Sequence, residues 1–190
     1  MALVLDGSTG ITSANIADGT IVNADIADGT IADAKIASGG GKVVQLLSVT
    51  KTDTAAFSGT NTWHDSGLSL AITPSSASNK VLLSGFVSIG NSTATANVSV
   101  QLRRDSTVIG EGDAVGSRVR AHSETDVRAW AARSIPFNVL DAPSSTSATT
   151  YKVYLSSGSN TIYLNQDGEN LTANNHRTLV STLTLTEITG

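Results

Sequence analysis

Apolar residues recur along this chain in two rhythms. Near the start, Ile11, Ile16, Ile21, Ile26, Ile31 and Ile36 return every five residues, within a ten-residue unit reading ITSANIADGT, IVNADIADGT, IADAKIASGG. Five is not a helical period, because successive isoleucines would lie about 140° apart around a helix and form no stripe. Asp18-Gly19-Thr20 and Asp28-Gly29-Thr30 also put turn residues where a helix would have to continue. The spacing predicts short extended pieces joined by turns, a solenoid-like stalk. Each isoleucine then points inward, as does the small residue two before it: Ala14, Gly19, Ala24, Gly29 and Ala34. Such a stripe gives one chain too little apolar surface to offset the ordering of its backbone. It therefore predicts an oligomer core shared by identical copies around one axis. The alternative is a repetitive linker, against which the unbroken isoleucine register speaks. Ser38-Gly39-Gly40-Gly41 closes the repeat and predicts a hinge, so the expected division is a stalk over 1–41 and a globular domain over 42–190.

From Lys42 onward the rhythm is two. Val43 to Val49 reads as a strand, as do Leu68 to Ile72, Val98 to Leu102, Tyr151 to Leu155 and Ile162 to Leu164. Lys80 to Ile89 reads as a long apolar strand that Gly90-Asn91 should end. In the final run, Thr182, Thr184 and Thr186 share one face, and Leu183, Leu185 and Glu187 the other. No window carries a helical pattern. Roughly eight to ten strands over this length predict an all-β fold, an antiparallel two-sheet sandwich of jelly-roll type.

Composition sharpens this. Charged residues make up only 15% and aromatics 4%, with Ser, Thr, Gly, Ala and Asn in their place, as in an all-β surface protein rich in turns. The net charge of −4 resides in residues 1–41, where five aspartates face Lys35 alone; the eleven basic and eleven acidic side chains of 42–190 cancel. There is no basic excess to hold nucleic acid. With no cysteine, a disulfide framework or thiolate metal site is excluded. Met1 to Leu5 is apolar but too short for a signal peptide, and no stretch approaches the length of a membrane span, so no membrane insertion is expected.

Several stretches carry a family resemblance: 42–59 (KVVQLLSVTKTDTAAFSG), 66–90 (SGLSLAITPSSASNKVLLSGFVSIG), 100–118 (VQLRRDSTVIGEGDAVGSR) and 141–155 (DAPSSTSATTYKVYL). They resemble a sandwich domain of tailed-phage proteins, often marine or cyanobacterial, described as tail-fibre or virion structural proteins. The opening MALVLDGSTGIT and the IADGTI units resemble the starts and stalks of the same proteins. The resemblance implies a trimeric phage appendage or decoration protein. Joined to the acidic repeat and neutral domain, it leads to the expectation of a homotrimer whose residues 1–41 dock on another particle protein and whose sandwich adheres to the host surface, with a host-surface glycan as the candidate partner. A capsid decoration or cement protein is the alternative, and a glycan-cleaving appendage enzyme a third class. The resemblance supplies neither catalytic residues nor a receptor.

The residues themselves point away from catalysis. His64, His122 and His176 lie near no nucleophile elbow, Gly-x-Ser-x-Gly is absent, and the three read as surface or turn histidines. Glu111 and Asp113, two apart in a Gly-rich stretch beside Arg118, read as a solvated or ion-paired loop rather than an acid–base pair across a cleft. Asn165 to Asn170 lacks the twelve-residue calcium-loop pattern, and Asp167-Gly168 reads as a hairpin turn between Tyr163 and Leu171. No enzyme, metal or cofactor is expected. Six of the seven arginines, Arg103, Arg104, Arg118, Arg120, Arg128 and Arg133, fall within thirty-one residues, interleaved with Asp105, Glu111, Asp113, Glu124 and Asp126. That interleaving predicts bidentate ion pairs between protomers, with contact to an anionic glycan as the alternative. Trp63, in the polar run Asn61 to Asp65, and Trp130 are candidate glycan contacts, or caps of the sandwich.

Overall fold

The computed structural model describes residues 42–92, 96–128, 131–158, 161–168 and 176–190, together with residue 22. The chain divides into two compact units, Met1–Gly39 and Gly40–Gly190. The six repeat isoleucines, the stalk expected over 1–41, Trp130 and Leu171 lie outside the described residues.

Eleven strands are described, all in the second unit: β1 (Val43–Lys51), β2 (Ala55–Ser58), β3 (His64–Ile72), β4 (Lys80–Asn91), β5 (Ala96–Arg104), β6 (Thr107–Ile109), β7 (Ser123–Val127), β8 (Ala132–Asp141), β9 (Thr149–Ser157), β10 (Thr161–Leu164) and β11 (Ser181–Ile188). The described residues include no helix. All pairings between the named strands are antiparallel, as the alternating pattern predicts.

The strands form two sheets. In the first, β8 pairs with β4 along residues 81–90, so β11 (at 80–86) and β10 (at 89–91) must share the other edge of β4 end to end. The four-strand body is therefore β1-β11-β4-β8, with β2-β10 as a shelf. In the second sheet, β9 lines one edge of β5, while β7 (at 96–100) and β6 (at 102–104) share the other. Its order is β3-β9-β5, then β6 and β7 in tandem. With β6 and β7 counted as one strand and the shelf set aside, the first sheet holds the first, eighth, third and sixth strands, and the second holds the second, seventh, fourth and fifth. That is the jelly-roll order.

One contiguous core lies between the sheets. Val81, Leu83, Val87, Ile89, Leu183 and Leu185 from the first meet Val98, Val100, Leu102, Tyr151, Val153 and Leu155 from the second. Burying each contributes about 1.5–3 kcal/mol relative to exposure. Close approach limits one position: a Cβ on Gly90 would lie 2.5 Å from the Asp167 carbonyl carbon, so only glycine lets the segment after β10 cross over β4 there. This crossing, together with the pairing to β10, explains why Gly90 and Asn91 continue β4 rather than end it. At the β5–β6 hairpin, Asp105 takes a φ of +52°, a conformation that Asp tolerates.

One end of the sandwich is closed by polar groups. Gln45, Glu187, Val81 and Asp141 form one inward-facing row across the first sheet. Glu187 is fully buried. It accepts from Gln45 Nε2 (2.5 Å), Asn79 Nδ2 (2.5 Å), and the backbone N–H (2.7 Å) and hydroxyl (2.8 Å) of Ser75. Burial alone would raise its pKa, but the bonds from Asn79, Gln45 and Ser75 outweigh it and bring the pKa down to about 2. At the other end of the row, Asp141 accepts from Arg104 Nη1 with both carboxylate oxygens at 2.9 Å and from the Tyr151 hydroxyl at 2.7 Å. Burial and this carboxylate push the Tyr151 hydroxyl well above the usual phenol range. Because Arg104 and Tyr151 come from the second sheet and Asp141 from the first, these bonds pin the two sheets together.

Candidate functional site

The six clustered arginines are dispersed over different surroundings. Arg104 is held by Asp141 at the closed end of the sandwich. Arg120 reaches Glu111 at 2.8 Å and donates through Nε to the Gly112 carbonyl at 2.6 Å. Arg128 lies 4.0 Å from Asp126, both well exposed. Arg103 stacks 3.8 Å over the Tyr154 ring and donates to Gln101 at 2.9 Å. The side chains of Arg118 and Arg133 are exposed and form no ion pair or hydrogen bond among the described residues. Among the described residues, three of the six therefore have a carboxylate partner in their own chain.

Trp63 is half-buried immediately before β3. Its neighbour His64 stacks on Phe57, with centroids 5.6 Å apart, and His64 Nε2 is buried with no hydrogen-bond partner. His176 is more than a surface or turn histidine. Its Nδ1 lies 2.8 Å from Asp167 Oδ2, which also accepts from the Arg177 N–H at 3.3 Å. Both side chains are close to 10% exposed, so Asp167 is a buried acceptor, and the hairpin expected to run on to Leu171 lies partly outside the described residues. A lone histidine and an Asp-Gly pair form no motif, so nothing in the sequence marks this contact. No group of three or more His, Cys, Asp or Glu able to hold a metal occurs among the described residues.

The segment joining β6 to β7 projects from the sandwich, and residues 112–120 are all exposed. Its stem is braced by Gly112 N–H to Ala121 O (3.2 Å), His122 Nδ1 to Gly110 O (2.8 Å) and the Arg120 contacts. At its base lies a groove of about 360 Å³. The groove is lined by Asp113, Val115, Arg118, Val119, Arg120, Ser123 and Glu124, among others. Glu124 is held by Asn97 (3.0 Å) and Ser99 (2.8 Å) of β5.

The outer faces of the two sheets differ in kind. On the first, the register aligns Leu46, Thr186, Leu82 and Leu140 in one row, and Ser48, Thr184, Ser84 and Asn138 in the next. A third row holds Thr50, Thr182, Phe86 and Pro136. Among the described residues, Lys80 at the start of β4 is the one charged side chain on the outward positions of these four strands. Leu46 is 61% exposed and Leu140 54%. On the second sheet, Asp65, Lys152, Arg103, Glu124 and Asp126 all face outward, with Lys152 3.3 Å from Asp65.

The class defined by these features is an antiparallel jelly-roll sandwich with one uncharged and one charged outer face and a projecting loop. No family model matches the chain, and no curated protein matches it. Among solved structures, a chain from the structure of the infectious bursal disease virus Gx strain is similar, with a TM-score of 0.40 and 10% identity, over 76% of this chain. This chain spans 40% of that one.

Proposed function

We propose that this chain is a virion structural protein of tailed-phage type that assembles as a homotrimer. In this reading residues 1–41 attach it to another particle protein, and the sandwich projects to adhere to a host-surface glycan. Its role is mechanical and adhesive, not catalytic. The observation that carries the reading is the uncharged outer face of the first sheet. With no carboxylate and a single lysine, Lys80 at the start of β4, its leucine, serine and threonine rows can be covered by a like surface at little cost in desolvated charge. Its exposed Leu46 and Leu140 gain from that burial. The isoleucine register in residues 1–41 asks for the same kind of partner, further copies of the chain. Light scattering of the purified chain tests this. The expected mass is three times 19.4 kDa, and a monodisperse monomer at micromolar concentration would overturn the trimeric assembly.

A further inference from the structure

We infer that the groove beneath the β6–β7 loop is a binding subsite for a neutral sugar ring. The inference rests on the adhesive part of the proposed function and locates it. The groove brings together unmet polar groups of both kinds. Among the described residues, neither the Asp113 carboxylate nor the Arg118 guanidinium has an ion pair or side-chain hydrogen bond, and both are exposed. Ser123, also in the lining, has a buried Oγ with no hydrogen-bond partner in the chain. A vicinal diol fits such walls, because one hydroxyl accepts from the guanidinium while its neighbour donates to the carboxylate.

Charge decides between ligand classes. The lining holds Asp113 and Glu124 against Arg118 and Arg120, which is neutral overall. Arg120 is already committed to Glu111, and Glu124 to Asn97 and Ser99. A sulfated or uronic ligand would meet one free anion along with one free cation, so an uncharged polyol is favoured over an anionic one. Val115 and Val119, 57% and 62% exposed, offer apolar contact to the C–H face of a ring. The volume of about 360 Å³ lies at the lower end of small-ligand clefts. The stem contacts of Arg120 and His122 hold the loop in place before the ligand arrives, which lowers the ordering cost of binding.

The test is saturation-transfer NMR on the full chain with the methyl glycosides of glucose, galactose and mannose, and with methyl glucuronide as the anionic comparator. At least one neutral glycoside is expected to bind at millimolar concentration and methyl glucuronide at least about tenfold more weakly. The double variant Asp113→Asn, Arg118→Gln is expected to lose binding at least about tenfold with an unchanged circular dichroism spectrum, since both side chains are exposed. Arg133→Gln, exposed and outside the groove lining, is expected to bind as the parent does. No transfer from any neutral glycoside, tighter binding of the glucuronide, or undiminished binding by the double variant would each overturn the inference. Light scattering on the same samples keeps the two readings apart. A trimer that binds no glycoside overturns only the groove, and a monomer that binds overturns only the assembly.

Discussion

The outer face of the first sheet and the outer face of the second are built by the same alternation, yet they carry opposite chemistry. On the second sheet the outward charges have company: Lys152 beside Asp65, Arg103 on Tyr154 and Gln101, Glu124 under Asn97 and Ser99. Such a surface is well solvated and costly to strip of water. On the first sheet threonines and serines separate leucines, and hydroxyls bond to each other, as Ser48 does with Thr184 at 3.0 Å. That surface loses little when covered. The difference teaches that hydrophobic alternation specifies which side of a strand is inside, while the residues on the other side are free to specify what the outside is for.

The comparison can be broken most forcefully on the first sheet. Leu46→Lys with Leu140→Lys places two charges on this face, one on each of its edge strands β1 and β8. If that face is the contact between copies, the oligomer is expected to dissociate to a folded monomer in light scattering, because each buried unpaired charge costs several kcal/mol. An intact trimer would move the contact elsewhere.

A smaller effect, on stability rather than assembly, tests the polar row that closes one end of the sandwich. Glu187→Ala removes the acceptor shared by Gln45, Ser75 and Asn79 and is expected to cost about 3 kcal/mol in urea unfolding at neutral pH. The folded pKa of about 2 lies below the ordinary 4.5, so the carboxylate stabilises the fold above pH 4.5. That stability is lost as the pH falls from about 4.5 through about 2. Parent and variant should therefore converge as the pH approaches 2, and a constant gap from pH 7 to 2 would count against this role.

The smallest effect belongs to the charged face. Lys152→Ala removes the partner of Asp65 from a solvated pair and is expected to change stability by less than about 1 kcal/mol, with no change in mass. Loss of the oligomer in this variant would reverse the comparison.

Where the pattern is strong the sequence is legible. Leu183, Leu185 and Glu187, one face of the last strand by their spacing, are all fully buried, and the three threonines between and beside them are on the outside. β8 escapes a reading by pattern. Its Ile135, Phe137 and Val139 alternate, but Arg133, Ser134, Pro136 and Asn138 between them look like a loop. Proline is tolerated there because β8 pairs with β4 on one edge and, among the described residues, with no strand on the other. β2 and β6, four and three residues long, are too short to show a period. β7 alternates too weakly, since its first four residues are Ser123, Glu124, Thr125 and Asp126.

Trp63 and the arginines are visible as residue types, but the sequence does not say that Asp141 binds Arg104 while Arg118 has no ion pair among the described residues. By itself the sequence determined the fold class, the inward face of the long strands and the neutrality of 42–190, because period and composition are local properties that every short window expresses. Only the tertiary structure decided the pairing of strands into two sheets and the gathering of outward side chains into one charged and one uncharged face. It also decided the meeting of Asp113, Arg118 and Ser123 in one groove. Those arrangements join residues that the sequence keeps apart, and their geometry exists only once the core between the sheets has closed.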